Sequence, residues 1–576
     1  MLNKFNKLYL YFTVCHKWEI LKKIEYKIKD CTKYFYLRNR IQQKNNYCMF
    51  KTLDFKVPDI NIELCNRKYR VFNNVFDYDE INKYLKSDKK FWRKCDINKY
   101  KDVKIIWEYN RLQILLPLAI KYIKTKEEKY KLSLVNILDY WKQNNEFEYS
   151  INWNSNLEIS IRAINICLAL AFIQDEELNN KYSEMLYLHA KHIYSEIGYS
   201  DCCIPNNHVI GEATALLMLS NFLEVKEKKK WYKKAIKILD KYLNIIDNEG
   251  VSKENSFSYQ FFVTKMYMLS LCFIKERDFF YEINKKILKS LNILEYSIVN
   301  NDEILNYGDN DGGFLFSIQM QYNIVKDIKE YCDLFLDGKV NDESNLYFYL
   351  LKTYNNANEI VIGKKNDKEY ICTDKIFIYN NSNIILFFNA KDICGHAHND
   401  SLAINLFING KSIFTDSGTY SYNLQKEKRN YYRERQAHST IILKEKNAIP
   451  IGKFRWKNKN KSAIILKKET EEYIKIIGII KKICKREIVI YKTKKEIEVN
   501  DFVFDDTIID NWIVDNDSMI KENILYINNV NINFCNFYNI KRKSTVVSKY
   551  YLQEKEATRY MVKGRQNKIK TIIRWE

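Results

Sequence analysis

Residues 395–420 read Gly-His-Ala-His-Asn-Asp-Ser-Leu-Ala-Ile-Asn-Leu-Phe-Ile-Asn-Gly-Lys-Ser-Ile-Phe-Thr-Asp-Ser-Gly-Thr-Tyr. Within it Leu402, Ile404, Leu406 and Ile408 alternate with Ala403, Asn405 and Phe407, the period of two that places successive side chains on opposite faces of a strand. Asn409-Gly410 follows, two residues that tolerate positive φ, and Ser412-Ile413-Phe414-Thr415 resumes a strand pattern, so the stretch predicts a hairpin. Downstream, Ser462 to Leu466, Tyr473 to Ile480 and Glu496 to Val499 repeat the pattern. Many short strands over the last part of the chain predict stacked antiparallel sheets.

Upstream the period is helical. Leu112, Leu115, Leu116, Ala119, Tyr122 and Ile123 follow an i, i+3, i+4, i+7 rule, as do Leu134, Ile137, Leu138 and Trp141. Ile161, Ile164, Leu168 and Phe172 continue it, then Ala235, Ile236, Leu239, Tyr242, Leu243 and Ile246. A series of amphipathic helices with short polar links suits a helix-pair toroid better than one bundle. The change of period lies near Tyr354 to Asn358, which divides the chain into an unassigned N-terminal helical extension at 1–100, a helical domain at 101–355 and a sheet domain at 358–576.

Composition narrows the partners. With 576 residues, 46% apolar and only 4 Pro and 14 Gly, the chain is globular rather than collagen-like or disordered. No stretch approaches the ~20 apolar residues of a membrane span. Lys plus Arg exceed Asp plus Glu by 94 − 72 = 22, which favours a polyanionic partner. Lys, Asn, Ile and Tyr all crowd the chain, so a coding bias explains the charge as well. No zinc-finger, phosphate-loop or RNA-binding signature accompanies it, and no nucleic-acid partner is expected. The 14 cysteines form no CxxC pair, and Lys4 and Lys7 precede an apolar run at 8–14 that His16-Lys17 ends without a small-residue cleavage site. Both features place the protein in the cytoplasm, with the periplasm as the alternative.

Of the 7 histidines, His396, His398 and His438 cluster in the sheet half. A His-x-His on a strand puts both rings on one face, and the hairpin lets Asp416 approach His398. Two His and one Asp make a zinc ligand set; a hydrogen-bonded His pair is the plainer reading. In the helical half Pro205-Asn-Asn-His208 precedes a helix-forming run containing Glu212, which places Asn207 and His208 at a helix N-terminus suited to a carboxylate. Glu254-Asn-Ser-Phe-Ser-Tyr259 follows a turn at Asn248-Glu-Gly250.

In this order these residues resemble the heparinase II/III-like polysaccharide lyases, a superfamily that includes the oligoalginate lyases. Trp107-Glu-Tyr-Asn-Arg111, Glu158-Ile-Ser-Ile-Arg162, Asn207-His208 with Glu212, and Glu254 through Tyr259 are the weaker motifs. Gly395-His-x-His-x-Asp400 with Asp416-Ser-Gly-Thr-Tyr420, and then Arg433 to His438, are the more specific ones. The resemblance runs from about residue 100 onward. It implies an incomplete α/α toroid followed by an antiparallel β-sandwich, with an acidic polysaccharide bound in the cleft between them. It implies β-elimination at a uronic acid, of the glycosaminoglycan or alginate kind, in a bacterial setting. Asn207, assisted by His396, would neutralise the uronate carboxylate. Tyr259 would act as base and acid, or His208 as base, with Tyr420 as a second acid. His398, Asp416 and His438 would hold a structural zinc, with no organic cofactor. A tyrosine base needs positive charge beside it. Gln260 and Ser439 depart from the His and Asn common in the family. The missing export signal implies work on a capsule or exopolysaccharide during its production. The alternatives are a non-catalytic glycan-binding or assembly protein with the same fold, and a glycoside hydrolase using two of Glu158, Glu212 and Glu254.

Overall fold

The computed structural model describes residues 15–42, 49–50, 67–86, 88–338, 347, 350–351, 360–443, 447–504 and 507–576. The apolar run at 8–14 and the expected boundary at 354–358 lie outside the described residues.

The helical half has two layers. Leu115–Thr125, Asn156–Ile173, Asn207–Phe222 and Phe257–Leu271 pack side by side as an inner row, and Glu128–Asn144, Glu176–Cys203, Lys228–Tyr242 and Arg277–Tyr296 pack outside them. The layers follow from sequence. Nearly every residue of Asn156–Ile173 and Phe257–Leu271 is buried, so these helices carry no polar face, whereas Lys228–Tyr242 buries only Trp231, Ala235, Ile238 and Leu239. Asn156–Ile173 is apolar and long enough to cross a membrane, yet it is wholly enclosed by protein here. Side-chain caps set where the inner helices begin: Asn206 accepts from the His208 N–H and Ser256 from the Tyr259 N–H. Both helices open toward the same end of the toroid, where Asn207 and Tyr259 of their first turns meet the same imidazole ring.

The other half is sheet. Tyr370–Cys372, Ile376–Asn380, Ile384–Asn389, Ile404–Ile408 and Lys411–Phe414 form a five-stranded antiparallel sheet in sequence order. Across it lies an eight-stranded sheet built from Ser462–Glu469, Tyr473–Ile480, Cys484–Tyr491, Glu496–Val503 and the later strands, and Ile509–Val514, Lys555–Gly564 and Phe537–Val547 make a third sheet. The expected Asn409-Gly410 hairpin joins Ile404–Ile408 to Lys411–Phe414.

The five-stranded sheet explains why its strands read as unbroken apolar runs. Ile376, Ile378, Ile385, Phe387 and Phe407 pack into the core of the helical half. Phe377, Leu386, Phe388, Ile404 and Leu406 face the sandwich core. A sheet buried on both faces shows no polar alternation. It is the middle layer that joins the two halves.

The N-terminal extension is not all helical. After the helices Lys17–Cys31 and Tyr34–Gln42, Lys68–Val71 and Asn74–Asp77 pair as a hairpin, and Met49–Phe50 pairs with Leu223–Glu224. The hairpin turns at Phe72-Asn73, with Phe72 at φ 51°, in place of the Gly that would have announced it.

Candidate active site

The His-x-His motif is not on a strand. Residues 390–403 form the loop between Ile384–Asn389 and Ile404–Ile408. What aligns the two rings is one carboxylate from the helical half. Asp309 is fully buried and lies in Gly308-Asp-Asn-Asp-Gly-Gly313. Its Oδ2 accepts from His396 Nδ1 at 3.0 Å and its Oδ1 from His398 Nε2 at 3.0 Å. Arg429, on the helix Lys426–Arg433, donates to both oxygens, Nη2 to Oδ2 at 2.7 Å. Burial alone would raise the Asp309 pKa, but Arg429 and the two imidazoles hold it well below the usual carboxylate range. The backbone is stitched here as well: Asp309 N–H donates to His396 O, and His396 N–H donates to Glu254 O. Gly308 is at φ +64°, and a Cβ there would stand 2.0 Å from Asn255 O, so this approach requires glycine.

These contacts fix the outward nitrogens. With Nδ1 turned to Asp309, His396 presents Nε2 to the cleft, 3.4 Å from Asn207 Nδ2 and 3.7 Å from Glu254 Oε2. The ring of Tyr259 stacks on His396 with centroids 3.6 Å apart. Asn207, His396 and Tyr259 are thus brought together across the interface of the two halves. The N-terminus of Asn207–Phe222 already holds a carboxylate: Asn207 N–H donates to Glu254 Oε1 at 2.7 Å. The carboxylate this helix end suits is thus supplied by Glu254, and the Asn207 amide side chain is what faces His396.

The surroundings of Tyr259 also differ from expectation. Its hydroxyl donates to Asp311 Oδ2 at 2.8 Å and lies 3.1 Å from the Tyr422 hydroxyl. Burial first, then Asp311, pushes the Tyr259 phenol well above its ordinary value, so the group is a proton donor rather than a standing phenolate. The cations lie one residue further back. Asp311 pairs with Lys104 at 3.0 Å, Lys104 with Glu108, and Arg111 with Glu108 and, through two bonds, with Glu158. Burial opposes ionisation of Asp311, yet Lys104 and Arg111 outweigh it and hold its pKa at about 2. This buried ion network takes in Glu108 and Arg111 of the first helical motif and Glu158 of the second. His208, in the first turn of its helix, has its pKa lowered to about 4 by loss of hydration, which exceeds the opposing pull of Glu158. It is a neutral imidazole at neutral pH.

Tyr420 stands apart from this group: its ring stacks on Tyr432 with Lys428 above it. Tyr422, two residues on, touches Tyr259 instead, under the Arg429 guanidinium. Phe454, 41% exposed, sets its edge against both His396 and Tyr422. Sequence reasoning missed Asp309, Asp311, Tyr422, Arg429 and Phe454. One signal was available: three of only 14 glycines fall in 308–313 around two aspartates.

His398, Asp416 and His438 each offer a ligand atom, all within 4.8 Å of one another, and all three are buried. His438 Nδ1 bonds Asp416 Oδ2 at 2.6 Å. His398 Nδ1 and His438 Nε2 are buried without a hydrogen-bond partner. Two orphaned imidazole nitrogens beside a carboxylate fit a divalent metal of zinc type. The carboxylates a hydrolase would need are engaged: Glu158 by Arg111, Glu212 by Ser200 and Asn156, Glu254 by the Asn207 N–H.

Comparison with known proteins bears on the family and the fold. The family profile for the heparinase II/III N-terminus matches residues 21–300, and that for the heparinase II/III-like C-terminal part matches 376–506. The first match takes in most of the extension left unassigned above. A heparin-sulfate lyase of Bacteroides stercoris is 21% identical over 382 residues, covering 60% of this chain and 55% of that protein. The match thus spans about half of that relative. Crystal structures of heparinase III (TM-score 0.60, 14% identity, 98% of this chain and 93% of that one) and of a mutant heparan sulfate lyase from Pedobacter heparinus (TM-score 0.55, 14% identity, 91% and 86%) share the fold.

Replacing Asp309 by Ala strands the buried Arg429 guanidinium and frees both imidazoles. Unfolding by urea should show a loss of about 3–5 kcal/mol; an unchanged midpoint would show that the carboxylate is not what ties the halves together.

Proposed function

The chain belongs to the heparinase II/III family, and we propose that it is a polysaccharide lyase that cleaves a uronate-containing glycosaminoglycan by β-elimination. The observation that carries this reading is the meeting of Asn207, Tyr259 and His396 at the mouth of the toroid. Removing the proton beside a carboxylate places a second negative charge on the same group, so donors must wait there. The Asn207 amide is one donor, and His396 Nε2 is the second when that ring carries a proton on both nitrogens, its Nδ1–H being already given to Asp309. Neutral His208 takes the C5 proton, the bond from C4 to the leaving oxygen breaks, and the Tyr259 phenol protonates that oxygen. The product is an unsaturated uronate. Asp311 keeps the phenol protonated and aimed. The net charge of +22 favours a polyanionic chain such as heparin or heparan sulfate, the polymers named for the relatives.

We further propose that His398, Asp416 and His438 hold a zinc-type ion. When bound it would supply a rigid tie between the segments that carry these three residues. Its protein ligands would be His398 Nδ1, His438 Nε2 and Asp416, while His398 Nε2 stays on Asp309.

Purified protein mixed with heparin, heparan sulfate, alginate and hyaluronan should raise ultraviolet absorbance from the unsaturated product with at least one polymer. Binding without absorbance would assign a glycan-binding protein of lyase fold instead. Tyr259→Phe and Asn207→Ala should each cut turnover roughly 100-fold; full rate in both would refute the assignment. Because the folded His208 pKa is about 4, below the reference ~6.5, its neutral form persists as pH falls until about 4. The acid limb of kcat/KM should therefore lie near pH 4 to 5, and a limb at 6.5 would remove His208 as base. Elemental analysis should find about one metal ion per chain in the wild type and little in His438→Ala, whose Tm should match that of chelator-treated wild type. Metal-free wild type whose Tm ignores chelator would contradict the ion.

A further inference from the structure

The helices Lys17–Cys31 and Tyr34–Gln42 are inverted relative to an ordinary surface helix. Trp18, Leu21, Ile24 and Ile28 are 58%, 53%, 50% and 59% exposed, and their spacing places them on one side. Leu37 and Ile41 of the second helix are 55% and 71% exposed. The inward sides carry Glu19 and Tyr26 in the first helix and Phe35, Asn39 and Gln42 in the second. The acidic groups of the first helix are each paired with cations, Glu25 on the apolar side itself included: Glu25 with Lys22 and Lys29, Asp30 with Arg93, Glu19 with Lys23 and Arg455. Exposed Lys17, Lys27, Lys33 and Arg40 surround the apolar side chains. In the sequence immediately before, Lys4 and Lys7 precede the apolar run at 8–14.

We propose that this face docks on the surface of an anionic lipid bilayer. Its apolar side chains would enter the boundary between headgroups and acyl chains, and its lysines would meet headgroup phosphates. Trp18, Tyr34 and Tyr36 suit that boundary, where amphipathic rings accumulate. A second copy is the less suitable occupant, since two such faces would set their cation rims against each other. The placement has a consequence for the cleft. Glu19, on the inward side, pairs with Arg455, the neighbour of Phe454, whose ring abuts His396. A docked helix would hold the cleft rim close to the membrane surface.

The test uses the full chain and sedimentable vesicles. Vesicles of equal phosphatidylcholine and phosphatidylglycerol should carry the protein down, with less bound as salt rises and little bound to phosphatidylcholine alone. The variant Leu21→Glu/Ile24→Glu/Ile28→Glu should lower the partition coefficient roughly tenfold or more. Its Tm and its turnover on soluble polymer should be unchanged, since the three side chains face solvent. No sedimentation with anionic vesicles, or equal sedimentation of the variant, would overturn the proposal. So would a wild-type dimer that the variant abolishes, with no vesicle binding by either, which would make a second copy the occupant.

Discussion

A single buried carboxylate governs the arrangement. Asp309 belongs to the helical half, and its four hydrogen bonds come from three residues of the sheet half: His396, His398 and the two arms of Arg429. An unpaired carboxylate with no solvent contact costs several kcal/mol, so the fold is compelled to bring those donors to it. In doing so it orients two imidazole rings at once. His396 is left with Nε2 toward the cleft and His398 with Nδ1 toward Asp416 and His438. The candidate catalytic group and the candidate metal group are therefore two ends of one electrostatic device.

The rest of the site is delivered by ordinary helix chemistry. Asn206 and Ser256 are N-caps, and the groups they introduce, Asn207, His208 and Tyr259, occupy first turns of inner-row helices. Behind them a chain of alternating charge from Lys104 to Glu158 fixes Asp311 as an anion, which in turn keeps Tyr259 a phenol. The positive character of the chain thus reaches the phenol only through an intervening carboxylate. That is why a protein with a large basic excess presents a protonated tyrosine rather than a phenolate.

Much of the fold was legible in sequence. The helical period over 112–246 and the two-residue period around 402–415 each mark elements that form, and Tyr473–Ile480 appears with the ends its alternation suggests. The Lys68–Val71 hairpin was hidden because Phe72 takes a left-handed turn without glycine. The site was legible only where residue types are rare. Seven histidines in the chain made His396, His398 and His438 conspicuous, whereas 44 tyrosines concealed that Tyr422 and not Tyr420 touches Tyr259. Asp309 and Asp311 were invisible for a different reason. Asp309 takes its meaning from partners 87 to 120 residues away and Asp311 from Tyr259, 52 residues away, and from Lys104 further still, and no local pattern carries that information.

The most direct measurement is a crystal structure of Tyr259→Phe protein with a uronate-containing oligosaccharide in the cleft. The account requires the uronate carboxylate to sit between Asn207 Nδ2 and His396 Nε2, with C5 on the side of His208 and the ring of residue 259 beside the glycosidic oxygen. A carboxylate bound elsewhere, with Asn207 and His396 still facing each other undisturbed, would contradict it.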